Sequence, residues 1–108
     1  MRDFFDVFML SSKRTFDGRT LGEAMEATFA RRQTPIPDVL PVALTSDFSR
    51  SREKQVQWLS YLRKNGLDAE DFPRVVEGLA LFLVPVLSAL SSRRPFAANW
   101  VPGGPWSD

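Results

Sequence analysis

Residues 71–90, DFPRVVEGLALFLVPVLSAL, are the most apolar stretch of the chain, and the rest is read around them. Proline at position 73 suits the first turn of a helix, where its missing N–H is not needed, and Asp71 stands just before that turn. From Val75 to Leu90 the apolar residues continue as a helix that must be covered on most sides. Its uncharged part, GLALFLVPVLSAL, has thirteen residues, against the ~20 that cross a bilayer, so the reading is a central core helix and no membrane association. Pro85 inside it predicts a kink.

Working upstream, Ser51 reads as the cap of a helix whose apolar positions Val56, Leu59 and Leu62 follow helical spacing, with Trp58 and Tyr61 flanking. Asn65-Gly66 ends it with a left-handed cap. Thr45 or Ser46 caps a short turn through Phe48. Pro35, Pro37 and Pro41 predict an extended connection from Thr34 to Ala43, anchored by Val39, Leu40, Val42 and Leu44. Before it, Phe16-Asp17-Gly18 reads as a turn, and Thr20 with Glu23 has the form of a capping box. The helix so started carries a buried stripe of Leu21, Ala24, Met25, Thr28 and Phe29 and ends near Gln33.

The first segment, RDFFDVFMLSS, places Phe4, Val7 and Phe8 on one helix face and Phe5 and Met9 on the next. A helix apolar nearly all round is normally buried on several sides, which predicts an exposed hydrophobic patch and a missing partner. Downstream, PFAANWVPGGPWSD combines prolines, a glycine pair and two tryptophans, a composition incompatible with a regular helix or a central strand. It reads as an extended strap held by Phe96, Trp100 and Trp106, with Gly103-Gly104 as a turn. No alternating strand pattern stands out, and the expected fold is all-α: about four helices, a proline-rich connection and an extended Trp/Pro/Gly-rich tail, in one domain over residues 1–108.

The 108 residues include 14 basic and 13 acidic ones, for a net charge of +1, so the strong positive field of a dedicated nucleic-acid coat is absent. Histidine and cysteine are both absent, which removes disulfides, thiolate nucleophiles, Ser-His-Asp triads and most zinc sites. Any chemistry rests on carboxylates, Lys, Arg or an oxygen-held metal. The acids within MRDFFD interrupt the apolar run a signal peptide needs, and the expected location is the cytoplasm.

Asp3 and Asp6, three residues apart, share a helix face, a spacing suited to holding a divalent cation and equally to stabilising the positive end of a helix. Arg2 beside them suits a phosphate or plain solvation. The pairs Arg31-Arg32 and Arg93-Arg94 fit phosphate contacts or terminal helix carbonyls. Trp58 and Tyr61 fit base stacking or ordinary packing.

Taken in order, MRDFFDVFMLSSKRTFDGRTLGEAMEATFARRQTPIP, PVALTSDFSRSREKQVQWLSYLRKNG, the apolar helix and PFAANWVPGGPW resemble the C-terminal region of the nucleotidyltransferase AbiEii/AbiGii toxin family, over essentially the whole chain. These are bacterial toxins of phage-defence toxin-antitoxin systems. The resemblance implies that Arg2-Asp3-Phe4-Phe5-Asp6 stands for the family's later Lys-Asp-x-x-Asp motif, with Asp3 and Asp6 as catalytic acids and Arg2, in place of Lys, at the nucleotide. That exchange keeps the charge but substitutes a guanidinium that cannot donate a proton. The family's early Gly-Ser with paired acids, which builds the main metal site, is not found in these residues. What the resemblance implies for a complete protein is magnesium-assisted transfer of a nucleotide from an NTP to an acceptor that in some members is tRNA, with a cognate antitoxin as partner. For this chain it implies no activity and no cofactor alone, and a truncated gene, a late start or a split protein whose partner is the missing catalytic half or an intact toxin. The competing expectations are a free-standing, non-catalytic helical interaction module and, less favoured for want of a basic recognition face, a DNA-binding antitoxin.

Overall fold

The computed structural model describes residues 1–108 as five α-helices and three very short strands, a mostly helical protein. In chain order the elements are α1 (Arg2–Lys13), β1 (Phe16–Asp17), α2 (Gly18–Arg31), a 3-10 turn (Val42–Leu44), α3 (Ser46–Arg50), α4 (Arg52–Lys64), α5 (Phe72–Ser91), β2 (Asn99–Trp100) and β3 (Trp106–Ser107). α5 is the hub, packed against by α1, α2, α3 and α4. It runs 20 residues and includes Pro85. By length and composition alone it could cross a membrane, so the thirteen-residue argument falls short. Its place in this fold is set by burial: Phe72, Val75, Val76, Phe82 and Val86 are almost wholly enclosed by the other elements.

The helix ends follow the sequence closely. Thr45 caps α3 through the N–H of Phe48, and Ser51 caps α4 through the N–H of Lys54. α2, α4 and α5 all close with the same motif, in which a left-handed residue, Gln33, Gly66 or Arg93, lets the next N–H reach back to a carbonyl five residues earlier. The start of α2 differs from expectation. Its cap is Asp17, whose carboxylate accepts from both the hydroxyl and the N–H of Thr20, so Thr20 is a donor in this cap, the cap stands three residues earlier than expected and the helix begins at Gly18.

Around Phe72 the core gathers Phe4 and Phe5 of α1, Phe48 of α3, and Trp58 and Tyr61 of α4. The first helix is therefore covered by this chain's own residues: Phe4 lies edge-on to Phe72 at 5.2 Å, and the large apolar residue α1 leaves exposed is Leu10. On α4 the buried side is Trp58 and Leu62, while Val56 and Leu59 face solvent, because only the Trp58 side can reach Phe72 and the Glu70 carbonyl that takes its indole N–H at 3.0 Å. The connection after α2 is irregular as expected. Of its proposed anchors, only Leu44 joins the core; Val39 and Val42 are about three-quarters exposed.

The tail departs most from expectation. β2 is the central strand of an antiparallel sheet ordered β1-β2-β3, with Phe16 opposite Trp100 and Trp100 opposite Trp106. Strands of two residues escape the proline rule because Asn99 and Trp100 lie between Pro95 and Pro102 and keep their N–H groups free. Each tail indole is tied to a distant carbonyl: Trp100 Nε1 donates to Ser11 at 2.7 Å and Trp106 Nε1 to Phe82 at 2.8 Å. The Phe82 carbonyl is one residue beyond that of Leu81, whose usual helical donor Pro85 lacks. Gly18 permits the tail's approach, since a Cβ there would lie 2.6 Å from the Ala98 carbonyl that accepts the Gly18 N–H.

Candidate functional site

α1 is two-sided. Its aromatic side chains are held in the core by the ring contacts with Phe48, Phe72, Trp58 and Tyr61, and this fixes the helix in rotation as well as position. Arg2, Asp3 and Asp6 consequently project from the opposite, exposed side. Arg2 Nε and Asp6 Oδ2 are 3.5 Å apart, one helical turn along, and form the single ion pair of the molecule. With side chains 83% and 54% exposed, this pair contributes little stability. Asp3 also lies in the first turn, where a carboxylate favours the positive helix end.

Asp3 and Asp6 are not joined by a third acidic group in a cluster able to enclose a metal. They do suit magnesium in one respect: that ion is commonly held by one or two carboxylates, with water and substrate phosphates filling its octahedron. The hollow next to Asp6 is shallow, about 460 Å3, and runs along α1 past Met9 and Leu10 to Lys13 and Arg14. Asp6 stands at one end of this hollow and Lys13 and Arg14 at the other.

The largest concavity, about 740 Å3, lies elsewhere, between the first half of α2 and the junction of α5 with the tail. Arg19, Glu23 and Glu26 line it from α2, and Arg93 and Arg94 from the end of α5, over a floor that includes Leu90 and Phe96. No arginine side chain here donates to a helix carbonyl; backbone N–H groups close both α2 and α5. Arg31 and Arg32 line no part of this groove. Trp58 and Tyr61 are packing residues, Trp58 being 1% exposed. Reading in sequence picked out Arg93-Arg94, gave Glu23 only a capping role and Phe96 only a packing role, and passed over Arg19 and Glu26, because nothing in their spacing links α2 to the tail.

The pKa of Asp17, the cap of α2, is shifted downward. The Thr20 hydroxyl and then its N–H, both donating to the carboxylate, hold its pKa below the ordinary aspartate value, as a structural cap requires.

A family model described as the nucleotidyl transferase AbiEii toxin of type IV toxin-antitoxin systems matches residues 1–80. No curated protein and no solved structure matches the chain.

Proposed function

Since the chain belongs to the AbiEii nucleotidyl transferase toxin family of toxin-antitoxin systems, we propose that residues 1–108 serve as the C-terminal helical part of such a toxin. In this reading Asp3 and Asp6 form part of a nucleotide site whose remaining groups lie outside this chain, and Arg2 contacts the nucleotide phosphates. The observation that carries it is the geometry of α1: aromatic residues lock one side into the core, and the acidic pair is presented outward on a rigid helix. Positions 3 and 6 fall within the matched residues.

Magnesium, when bound, neutralises triphosphate charge as the bond to the leaving pyrophosphate breaks. Asp3 and Asp6 are the residues of this chain that would hold it. Arg2 then exchanges its contact with Asp6 for a phosphate, to which its planar fork is well matched. The extent of open surface also supports a part that docks onto something else. The chain exposes 7348 Å2, whereas a compact monomer of its mass, 12.2 kDa, exposes about 6,100 Å2. The acceptor is an RNA such as tRNA, the setting phage defence in the cytoplasm, and the partners a catalytic half and an antitoxin.

The test is nucleotide transfer from labelled NTPs to total tRNA with magnesium, by the pure chain and by the chain mixed with a separately produced catalytic half from the same family. No transfer is expected from the chain alone. With the catalytic half, transfer should appear, and Asp3→Ala or Asp6→Ala should reduce it by about 100-fold. Robust transfer by the pure chain, or full activity in the doubly substituted protein, would overturn the reading. A non-catalytic interaction module, the alternative, would instead bind the catalytic half without enabling transfer.

A further inference from the structure

At 100° per residue, Asp3, Asp6, Leu10 and Lys13 fall within about 80° of the circumference of α1, and all four are exposed. Read along the helix, this stripe runs from acid through one apolar side chain to base, with Leu10 43% exposed and Arg14 following Lys13. Arg2 is taken up by Asp6 at 3.5 Å, and Asp3 has no ionic partner. The aromatic side of the same helix is spent on the core, and the stripe faces away from it.

The groove between α2 and the end of α5 carries the reverse order. Gly22 lies against Val86 and Leu90, and Gly18 against Phe96 and the Ala98 carbonyl, so α2 runs antiparallel to the end of α5. Arg93 and Arg94 consequently stand beside the start of α2, together with Arg19, while Glu23 and Glu26 follow one and two turns further on. Ile36 and Leu90 make part of the lining apolar. None of these arginines or glutamates is ion-paired within the chain. The spacings also agree: Asp6 to Lys13 and Arg19 to Glu26 are each seven residues, about 10 Å of helix.

We propose that the outward stripe of α1 docks into this groove on a second copy of the chain. Asp3 and Asp6 then lie toward Arg93 and Arg94, Leu10 over Leu90, and Lys13 and Arg14 toward Glu23 and Glu26. Two helices laid side by side in the same direction place opposite charges together at both ends, and reversing one sets like charges together. The two faces of a single chain cannot meet. α1 follows the first half of α5, with Phe4 on Phe72 and Phe8 on Gly78, whereas the groove sits at Leu90. Contact is therefore head-to-tail between copies, and each copy added leaves a stripe and a groove free for the next. A net charge of +1 offers little repulsion against such growth. A stable contact takes about 800 Å2 from each partner, and the chain exposes about 1,200 Å2 more than a compact monomer of its mass. The contact covers Asp3 and Asp6, so assembled chains withhold them from nucleotide; that consequence rests on the function proposed above, and the contact itself does not.

Sedimentation equilibrium of the pure chain, without nucleotide, magnesium or any other protein, tests the contact apart from the proposed function. At low salt the weight-average mass should rise above 12.2 kDa with concentration, and it should fall back in about 0.5 M salt. Asp3→Asn with Asp6→Asn spoils the stripe, and Arg93→Gln with Arg94→Gln spoils the groove; each pair should weaken association by about tenfold. All four residues are exposed, so both proteins keep the helical content and thermal midpoint of the unsubstituted chain. Mixed in equal amounts, the two variants should regain association but stop at pairs, because one intact stripe and one intact groove remain between them. A mass fixed at 12.2 kDa up to about 1 mM chain, association indifferent to salt, or a mixture that regains nothing or grows past pairs would overturn the proposal. So would association that neither pair of substitutions weakens, which would place the contact on another surface, such as the exposed Val39 and Val42.

Discussion

Two aromatic clusters sit along α5, and they are assembled by different means. Around Phe72 the rings arrive on helices, from Phe4 and Phe5 of α1, Phe48 of α3, and Trp58 and Tyr61 of α4. Around Phe82 they arrive on two-residue strands and the tail between them, Phe16 on β1, Trp100 on β2 and Trp106 on β3, with Phe96 on irregular chain. Helices satisfy their own backbone, so the first cluster is held by packing, with one indole bond to the Glu70 carbonyl. The tail has few backbone bonds of its own, and the indoles of Trp100 and Trp106 fasten it to carbonyls of α1 and α5. The difference extends to kinship: the family model covers every ring of the first cluster and only Phe16 of the second. The helical end is the shared frame, and the tail end is where the large groove forms.

The comparison can be broken most directly at Trp100. Trp100→Ala removes a fully buried ring and is expected to lower unfolding free energy by about 3–5 kcal/mol, as much as Trp58→Ala, when both are measured by urea denaturation. A loss below about 1 kcal/mol would show that the tail is not part of the cooperative unit. Gly18→Ala comes next, at about 1–3 kcal/mol, because the new Cβ would collide with the Ala98 backbone carbonyl, which cannot move without shifting β2.

Smaller changes sharpen the contrast. Trp106→Phe keeps a ring but loses the bond to Phe82, for about 1 kcal/mol; amide exchange should quicken in residues 94–108 and stay unchanged around Phe72. Equal acceleration at both ends would mean that the two clusters are one unit. Asp17→Ala should lower the thermal midpoint at neutral pH. Because the native pKa of Asp17 is depressed, its contribution is complete above the unfolded-state pKa and is lost as pH falls through the lower native value. The gap between the two proteins should therefore close in acid, and a gap that widened would refute the cap. Asp3→Ala and Asp6→Ala should change stability least, within about 0.5 kcal/mol, since both acids are exposed.

Legibility in the sequence followed the same divide. Caps at Thr45 and Ser51, the end of α2 near Gln33, the left-handed end at Gly66 and the central helix are local patterns within a few residues of each other, and each lies close to where spacing placed it. Which side of α4 is buried was not local. Val56 and Leu59 are as apolar as Leu62, and only the position of Phe72 and the Glu70 carbonyl selects the Trp58 side. The stripe on α2 is likewise only half covered, with Ala24 exposed, because two glycines, Gly18 and Gly22, make its closest approach to the rest of the chain. Asp3 and Asp6 were readable because a motif is contiguous. The groove was not, because its walls are about seventy residues apart in sequence.

By itself, then, the sequence determined the helices, most of their ends and the kinship of residues 1–80, since these depend on patterns among near neighbours; the start of α2 was the exception. It also placed Arg2, Asp3 and Asp6 on one short helical segment. Tertiary structure alone decided that the apolar first helix is covered from within and that the tail becomes the centre of a small sheet. It alone brought Arg19 to Arg93 and Arg94. The physical reason is that burial and long-range hydrogen bonding choose among faces that local propensity leaves equivalent.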